Sequence, residues 1–212
     1  AFRASSAARG PFVYASSIAA YDPDDTGETD PSGRPRTLYG VYKLATEQAL
    51  AVYADDHGVA SVGLRPHVVY GVGRDQGMTS SPTFAMLRAA AGHGSTITYS
   101  GRSQLQFAGD VARAFVAAAS ADVDGAHVFN LGGDSVDMAE VVRVIERCSP
   151  EVRGAIEVEG DALPFPAAAS DIGLAAVIGP AERTSLADGV EDTIVRFRRL
   201  LETGLVAVPE AG

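Results

Sequence analysis

Apolar, β-rich runs alternate with amphipathic helical stretches along this chain, and that alternation limits its possible folds more than any other feature. Residues 11–16 (PFVYAS) are short, apolar and rich in strand formers, which reads as a buried strand. Over 39–57, Leu44, Ala45, Ala49, Val52 and Tyr53 recur at helical spacing, and Gly58 supplies the stop. The run VASVGLRPHVV (59–69) reads as the next strand, and a Gly-rich loop follows over 70–81. Then come a helix over 82–91, a short strand over 97–99, a helix over 109–121, a strand over 127–131 and a helix over 137–148, capped by Ser135 or Asp137. Residues 1–8 read as the end of a helix, and a last helix runs over about 186–203. Strand and helix in alternation predict an α/β fold with a mainly parallel sheet flanked by helices.

Composition narrows the partners. The formal net charge of −10 speaks against a nucleic-acid backbone, which needs clustered Lys and Arg. No stretch approaches the roughly 20 apolar residues of a membrane span, and the opening AFRASSAARGPF lacks a signal-peptide core. One cysteine, Cys148, permits no intrachain disulfide and reads as a small buried hydrophobe without a chemical role. A cytoplasmic protein with neither membrane nor nucleic-acid partner is expected. His57, His93 and His127 have no metal-ligand spacing to a Cys or a carboxylate pair, so no metal is expected.

The chemistry lies in one constellation. Ser16-Ser17 closes the first strand, a polar loop of roughly 15 residues follows over 22–36, and Tyr39 and Lys43 then stand four apart at the start of a helix. Residues i and i+4 share a helix face. A nearby ammonium favours phenolate, so such a Tyr is suited to proton transfer. A hydroxyl from the adjacent strand end can bond the same substrate oxygen, and open α/β sheets put their ligands at strand carboxyl ends. A Tyr-x-x-x-Lys spacing alone is weak, since any long helix can hold a half-buried Tyr beside a solvated Lys; its place after a Ser-Ser strand end gives it weight.

In order, VYASSIAAYD, LYGVYKLATEQ and LRPHVVYGVGRDQG resemble the extended short-chain dehydrogenase family, in its NAD-dependent epimerase and dehydratase branch. GDVARAFVAA, VFNLGG and RTSLADGVEDTI extend the likeness over nearly the whole chain. The resemblance implies a Rossmann-like parallel sheet with a smaller substrate lobe. The sheet part is expected in 1–70 and 105–135, and 71–104 with 136–212 is expected mainly as the substrate lobe plus terminal helices. It implies that Ser17, Tyr39 and Lys43 are catalytic: Tyr39 as acid/base, Lys43 on the nicotinamide ribose, and Ser17 orienting the substrate hydroxyl. It assigns cofactor contacts to Ala15, Ser16, Tyr39, Lys43, Pro66, His67 and Val68, with NAD favoured over NADP. Substrate contacts fall on Ser17, Ile18, Arg74, Met78, Ser80 and Gln106, and a sugar-type small molecule is the implied substrate. Arg74, Ser80, Gln106 and His67 each also read as ordinary surface, loop or structural residues. The family further implies a homodimer through the helix of Tyr39 and Lys43. The face of Leu44, Ala45, Gln48 and Val52 suits that pairing and suits packing on the sheet equally.

Two departures stand out. No glycine-rich dinucleotide fingerprint precedes Ser16, so the chain reads as the part of such a fold that follows its first βαβ units, with about 100 residues ahead of it at 30 or more per unit. The residues that grip a nucleotide diphosphate in the family are also changed. Val68 stands where an Asn is usual, Ser103 where an Arg is usual, and 163–166 carry no Arg. Arg74 and Arg102 are possible replacements. The expected function is hydride transfer on a sugar or sugar-derived substrate. The alternatives are a dehydrogenase of a small sugar acid or polyol without a nucleotide, and a non-catalytic half-fold used for binding.

Overall fold

The computed structural model describes residues 10–22, 24–25 and 33–208. The helix expected over 1–8 and most of the loop expected over 22–36 lie outside the described residues. The chain forms two compact units. The first draws on 1–67, 109–134 and 164–182, and the second on 68–108, 135–163 and 183–212. The 164–182 segment therefore packs with the first unit.

The first unit is built on three parallel strands in the order β1 (Phe12–Ala15), β2 (Ser61–Arg65), β6 (Ala126–Asn130). Every residue of β2 is buried, the pattern of a central strand covered on both faces. Gly63 makes room there for Tyr14 of β1: a Cβ at that position would come within 2.4 Å of its ring, which would have to shift. Val62 and Leu64 pack with Ala114 and Ala118 of α3 (Ala108–Ala119), with Leu131, and with Leu174 of α5 (Ile172–Ile178). The long helix α1 (Leu38–His57) starts where Thr37 Oγ1 accepts the Gly40 amide at 3.0 Å. It ends at Gly58, whose φ of 61° is the left-handed C-cap that favours glycine. Only Gly40, Glu47 and Leu50 of α1 are buried, and Leu38, Tyr39, Tyr42 and Val52 stand open.

The second unit pairs β3 (Val68–Tyr70) with β5 (Arg102–Phe107) in parallel and β5 with β7 (Ser135–Asp137) in antiparallel; β4 (Ser95–Ile97) and β8 (Ile156–Val158) form a parallel pair. Helices α2 (Ser81–Ala90), α4 (Met138–Cys148) and α6 (Leu186–Glu202) close around a core of Val68, Tyr70, Met86, Ile97, Met138, Ile145, Val190, Ile194 and Phe197. No helix among the described residues is long and apolar enough to cross a membrane.

The single strand expected over 59–69 is two strands in two sheets, divided at Pro66-His67. Proline has no amide to give a ladder, and here its carbonyl instead accepts the Ile18 amide at 2.9 Å. The strand expected over 97–99 lies at Ser95–Ile97. Strands β5, β7 and β8 and helix α5 were not anticipated. In β5, Ser103, Gln104 and Gln106 are buried beside Leu105, so polar residues on the inside erase the expected alternation. Asp137 is the cap of α4, its carboxylate accepting the Ala139 amide at 2.9 Å, while Ser135 opens β7.

Candidate active site

The site grows from the carboxyl end of β1. The Ser16 amide donates to Leu64 O at 2.7 Å and the Ile18 amide to Pro66 O at 2.9 Å, so the chain stays alongside β2 past its last strand residue. Ser17 then caps a 3-10 turn, Ile18–Ala20, by accepting the Ala19 amide at 3.1 Å. A hydroxyl has one proton and two lone pairs, so this cap leaves the Ser17 proton to donate elsewhere. Ile18 packs with Tyr21, Ala169 and Phe165, which closes the floor beneath the turn.

Helix α1 meets that turn at very short range. A Cβ on Gly40 would lie 1.9 Å from Ala19 O and 2.9 Å from Pro35 Cβ. Only glycine lets the first turn of α1 come so close to the residues after Ser17, and Tyr39 is its neighbour. Lys43 Nζ donates to Ala15 O at 2.7 Å and lies 5.3 Å from the centroid of the Tyr39 ring, within cation–π range. The ammonium is thus anchored on the end of β1 and held over the phenol. An ammonium carries three N–H donors, and the Ala15 carbonyl takes one. Tyr39 itself is 56% exposed, so its hydroxyl is reachable.

Ser16, read from sequence as a cofactor contact, is 3% exposed, and its hydroxyl donates to Glu47. Glu47 in turn takes Arg65 in two-point contact, with Nε to Oε1 at 2.9 Å and Nη2 to Oε2 at 2.7 Å, both side chains 5% exposed. Arg65 Nη1 also donates to Tyr21 Oη at 3.1 Å, and Tyr21 Oη donates to Asn130 Oδ1 at 3.1 Å. Sequence reasoning passed over Glu47, Arg65 and Gly40. The signals were there: an arginine inside an otherwise apolar strand, and a glutamate one turn after Lys43.

His67 is 8% exposed, and its Nε2–H donates to Pro166 O at 2.7 Å, edge-on to the Phe165 ring. Burial pushes its pKa down to about 4, so it is neutral at pH 7 and pins the 164–182 segment to the end of β2. Burial likewise raises the phenol of Tyr14, with the Glu47 carboxylate adding to the effect, and it raises the Cys148 thiol. Next to the site, the Asp24 amide and the Arg36 guanidinium hold the Asp22 carboxyl below the usual range. Among the described residues, no three His, Cys, Asp or Glu side chains converge as a metal site would require.

The remaining sequence-derived residues belong to the second unit. The Val68 side chain is fully buried in that unit's core. Arg74 is held by its own loop, donating to Gln76 O and to Thr79 Oγ1, the latter at 2.9 Å. Ser80 donates to Gly77 O at 2.7 Å, Met78 is 61% exposed, and Gln106 is buried on β5. Arg102 donates to Ser135 O.

The parallel sheet, its helices and the residues at the end of β1 define a Rossmann-like α/β protein, and comparison with solved structures agrees. A partial consensus L-threonine 3-dehydrogenase superposes with a TM-score of 0.80 at 22% identity, covering 88% of this chain and 64% of that one. The UDP-glucose 4-epimerase of Thermus thermophilus, solved in complex with NAD, gives 0.75 at 24% identity, over 89% of this chain and 64% of that one. UDP-glucuronic acid 4-epimerase from Bacillus cereus gives 0.75 at 21%, over 90% and 62%. The family model for the NAD dependent epimerase/dehydratase family matches residues 2–132, and the chain belongs to that family. ADP-L-glycero-D-manno-heptose-6-epimerase of Alkalilimnicola ehrlichii is 45% identical over 64 residues, 30% of this chain and 20% of that protein. The chain thus spans about two thirds or less of the length of the relatives it matches.

Proposed function

We propose that this chain supplies the catalytic residues of an NAD-dependent epimerase/dehydratase-type enzyme acting at a secondary alcohol of a sugar or sugar-derived substrate. One observation carries the reading: the Lys43 ammonium, fixed on Ala15 O at 2.7 Å, stands 5.3 Å over the ring of an exposed Tyr39 at a strand's carboxyl end. That donor set fits a nicotinamide cofactor, because the Lys43 protons not bound to Ala15 can reach ribose hydroxyls while the phenol stays free for substrate. Lys43 would hold a bound nicotinamide cofactor through its ribose, and that group would supply the hydride-transfer chemistry. Tyr39 takes the hydroxyl proton as the carbonyl forms and gives it back on reduction. Lys43, anchored on Ala15 O at 2.7 Å, fixes the place of its ammonium beside the Tyr39 ring. Ser17 donates the proton left over from its cap to the same substrate oxygen and so fixes its place. Tyr39→Phe should fold normally, as measured by circular dichroism, and lose turnover by about a hundredfold or more. Undiminished turnover in the folded variant would end the reading, and no turnover in the wild-type protein would favour a binding module instead.

NAD is favoured over NADP, and fluorescence titration with each cofactor decides between them. A substrate without a nucleotide is the second reading. Val68 is fully buried and apolar and Ser103 is 1% exposed and uncharged, so two positions that grip phosphate in the family offer neither the amide nor the guanidinium here. NAD reduction with free sugar acids and polyols, set against isomerisation of nucleotide sugars, separates the two. Ala45, Gln48 and Val52 face outward on α1, beside exposed Leu38 and Tyr42, which supports pairing with a second copy through this helix. Sedimentation of the full-length protein at micromolar concentration should give a dimer, and a monomer would overturn that assignment. The single cysteine suits a reducing compartment, and we place the protein in the cytoplasm.

A further inference from the structure

We propose that Arg65 is a positioning residue: by holding both oxygens of Glu47, it keeps that carboxylate from claiming Lys43 and so leaves the ammonium to Ala15 and Tyr39. The inference rests on the reading of Tyr39 and Lys43 given above and goes beyond it. Tyr39, Lys43 and Glu47 follow one another at four-residue steps along α1, so all three share a face. At that spacing a Lys and a Glu are within reach of each other on a helix surface. Here they do not pair. Lys43 Nζ goes to Ala15 O at 2.7 Å, and the Glu47 carboxylate turns inward to Arg65 at 2.9 and 2.7 Å and accepts the Ser16 hydroxyl.

Two further contacts, both to Tyr21, fix the guanidinium that does this. Arg65 leaves the end of β2, lies 5.2 Å from the Tyr21 ring centroid, and donates to Tyr21 Oη at 3.1 Å, which is itself tied to Asn130 at the end of β6. Ser16 sits between Ala15, the acceptor for Lys43, and Ser17. One network therefore places the lysine's acceptor, the strand-end hydroxyl and the helix together.

The test reads Lys43 directly, without cofactor or substrate. In full-length protein carrying isotope-labelled lysine, the Lys43 ammonium resonance is assigned by its loss in Lys43→Met. Arg65→Met should move that resonance as the stranded carboxylate captures the ammonium, and Glu47→Met/Arg65→Met, with no carboxylate left, should return it towards its original position. An unmoved resonance in folded Arg65→Met overturns the proposal. So does a displacement that persists in the double variant, since it would report general distortion. Removing one partner of a buried pair is strongly destabilising. If Arg65→Met does not fold, Arg65→Lys takes its place: it keeps the charge but loses the two-point grip, and should give a smaller displacement of the same sign, with none overturning the idea. Loss of turnover in Tyr39→Phe tests the enzyme assignment separately, so failure of one is distinguishable from failure of the other.

Discussion

At the scale of single residues, Gly40 and Ser17 show how much of a site can rest on atoms too small to attract notice. A methyl group on Gly40 would overlap Ala19 O at 1.9 Å, and the obstacle is backbone, which cannot swing aside. Gly40→Ala should destabilise the protein by about 1–3 kcal/mol, the usual cost of overpacking. It should also displace Tyr39 from the turn after Ser17. Urea unfolding reads the first effect, and a fall in kcat that exceeds any change in KM reads the second. Wild-type stability and turnover would mean that α1 tolerates a wider approach. The Tyr39–Lys43 pair was legible from its spacing together with its place after the Ser16-Ser17 strand end. The need for glycine between them was not, because a close approach depends on what stands opposite.

At the scale of elements, α1 bears the candidate residues Tyr39 and Lys43, and its ends are chemically marked. Thr37 caps the helix through the Gly40 amide at 3.0 Å, and Gly58 ends it at φ 61°. Thr37→Ala should cost about 1 kcal/mol, read as a lower urea midpoint, because an amide of the first turn loses its acceptor. The helix was readable from 39 to 57 because its apolar residues repeat with a period near 3.6 and glycine stops it. β5 and β7 were not readable. Their polar residues pair within a sheet, and burial of Gln104 and Gln106 gives no periodic signal in the sequence. The break at Pro66-His67 was written in the sequence as a proline. That it divides two sheets depends on Ile18 bonding the Pro66 carbonyl, a contact between distant segments.

At the scale of the whole molecule, stability should depend on pH through His67. Its folded pKa is about 4 against an ordinary 6.5, so the unfolded chain binds the proton more readily. Stability is then level above pH 6.5 and falls as pH drops towards 4. At ~1.4 kcal/mol per unit the full effect is about 3 kcal/mol. Urea unfolding at pH 7 and near pH 4 should show the loss, and His67→Gln should flatten it; an equal slope in the variant would assign the dependence to other groups. The sequence by itself determined the α/β class, the long helix, the Ser17, Tyr39 and Lys43 constellation and the family, since these follow from local periodicity, spacing and ordered motifs. Only the tertiary structure decided that 164–182 joins the first unit, that Glu47 turns to Arg65 instead of Lys43, and that His67 is a buried pin. Each of these is set by which distant groups meet away from water, where an unpaired charge or amide is costly, and no local pattern along the chain records that meeting.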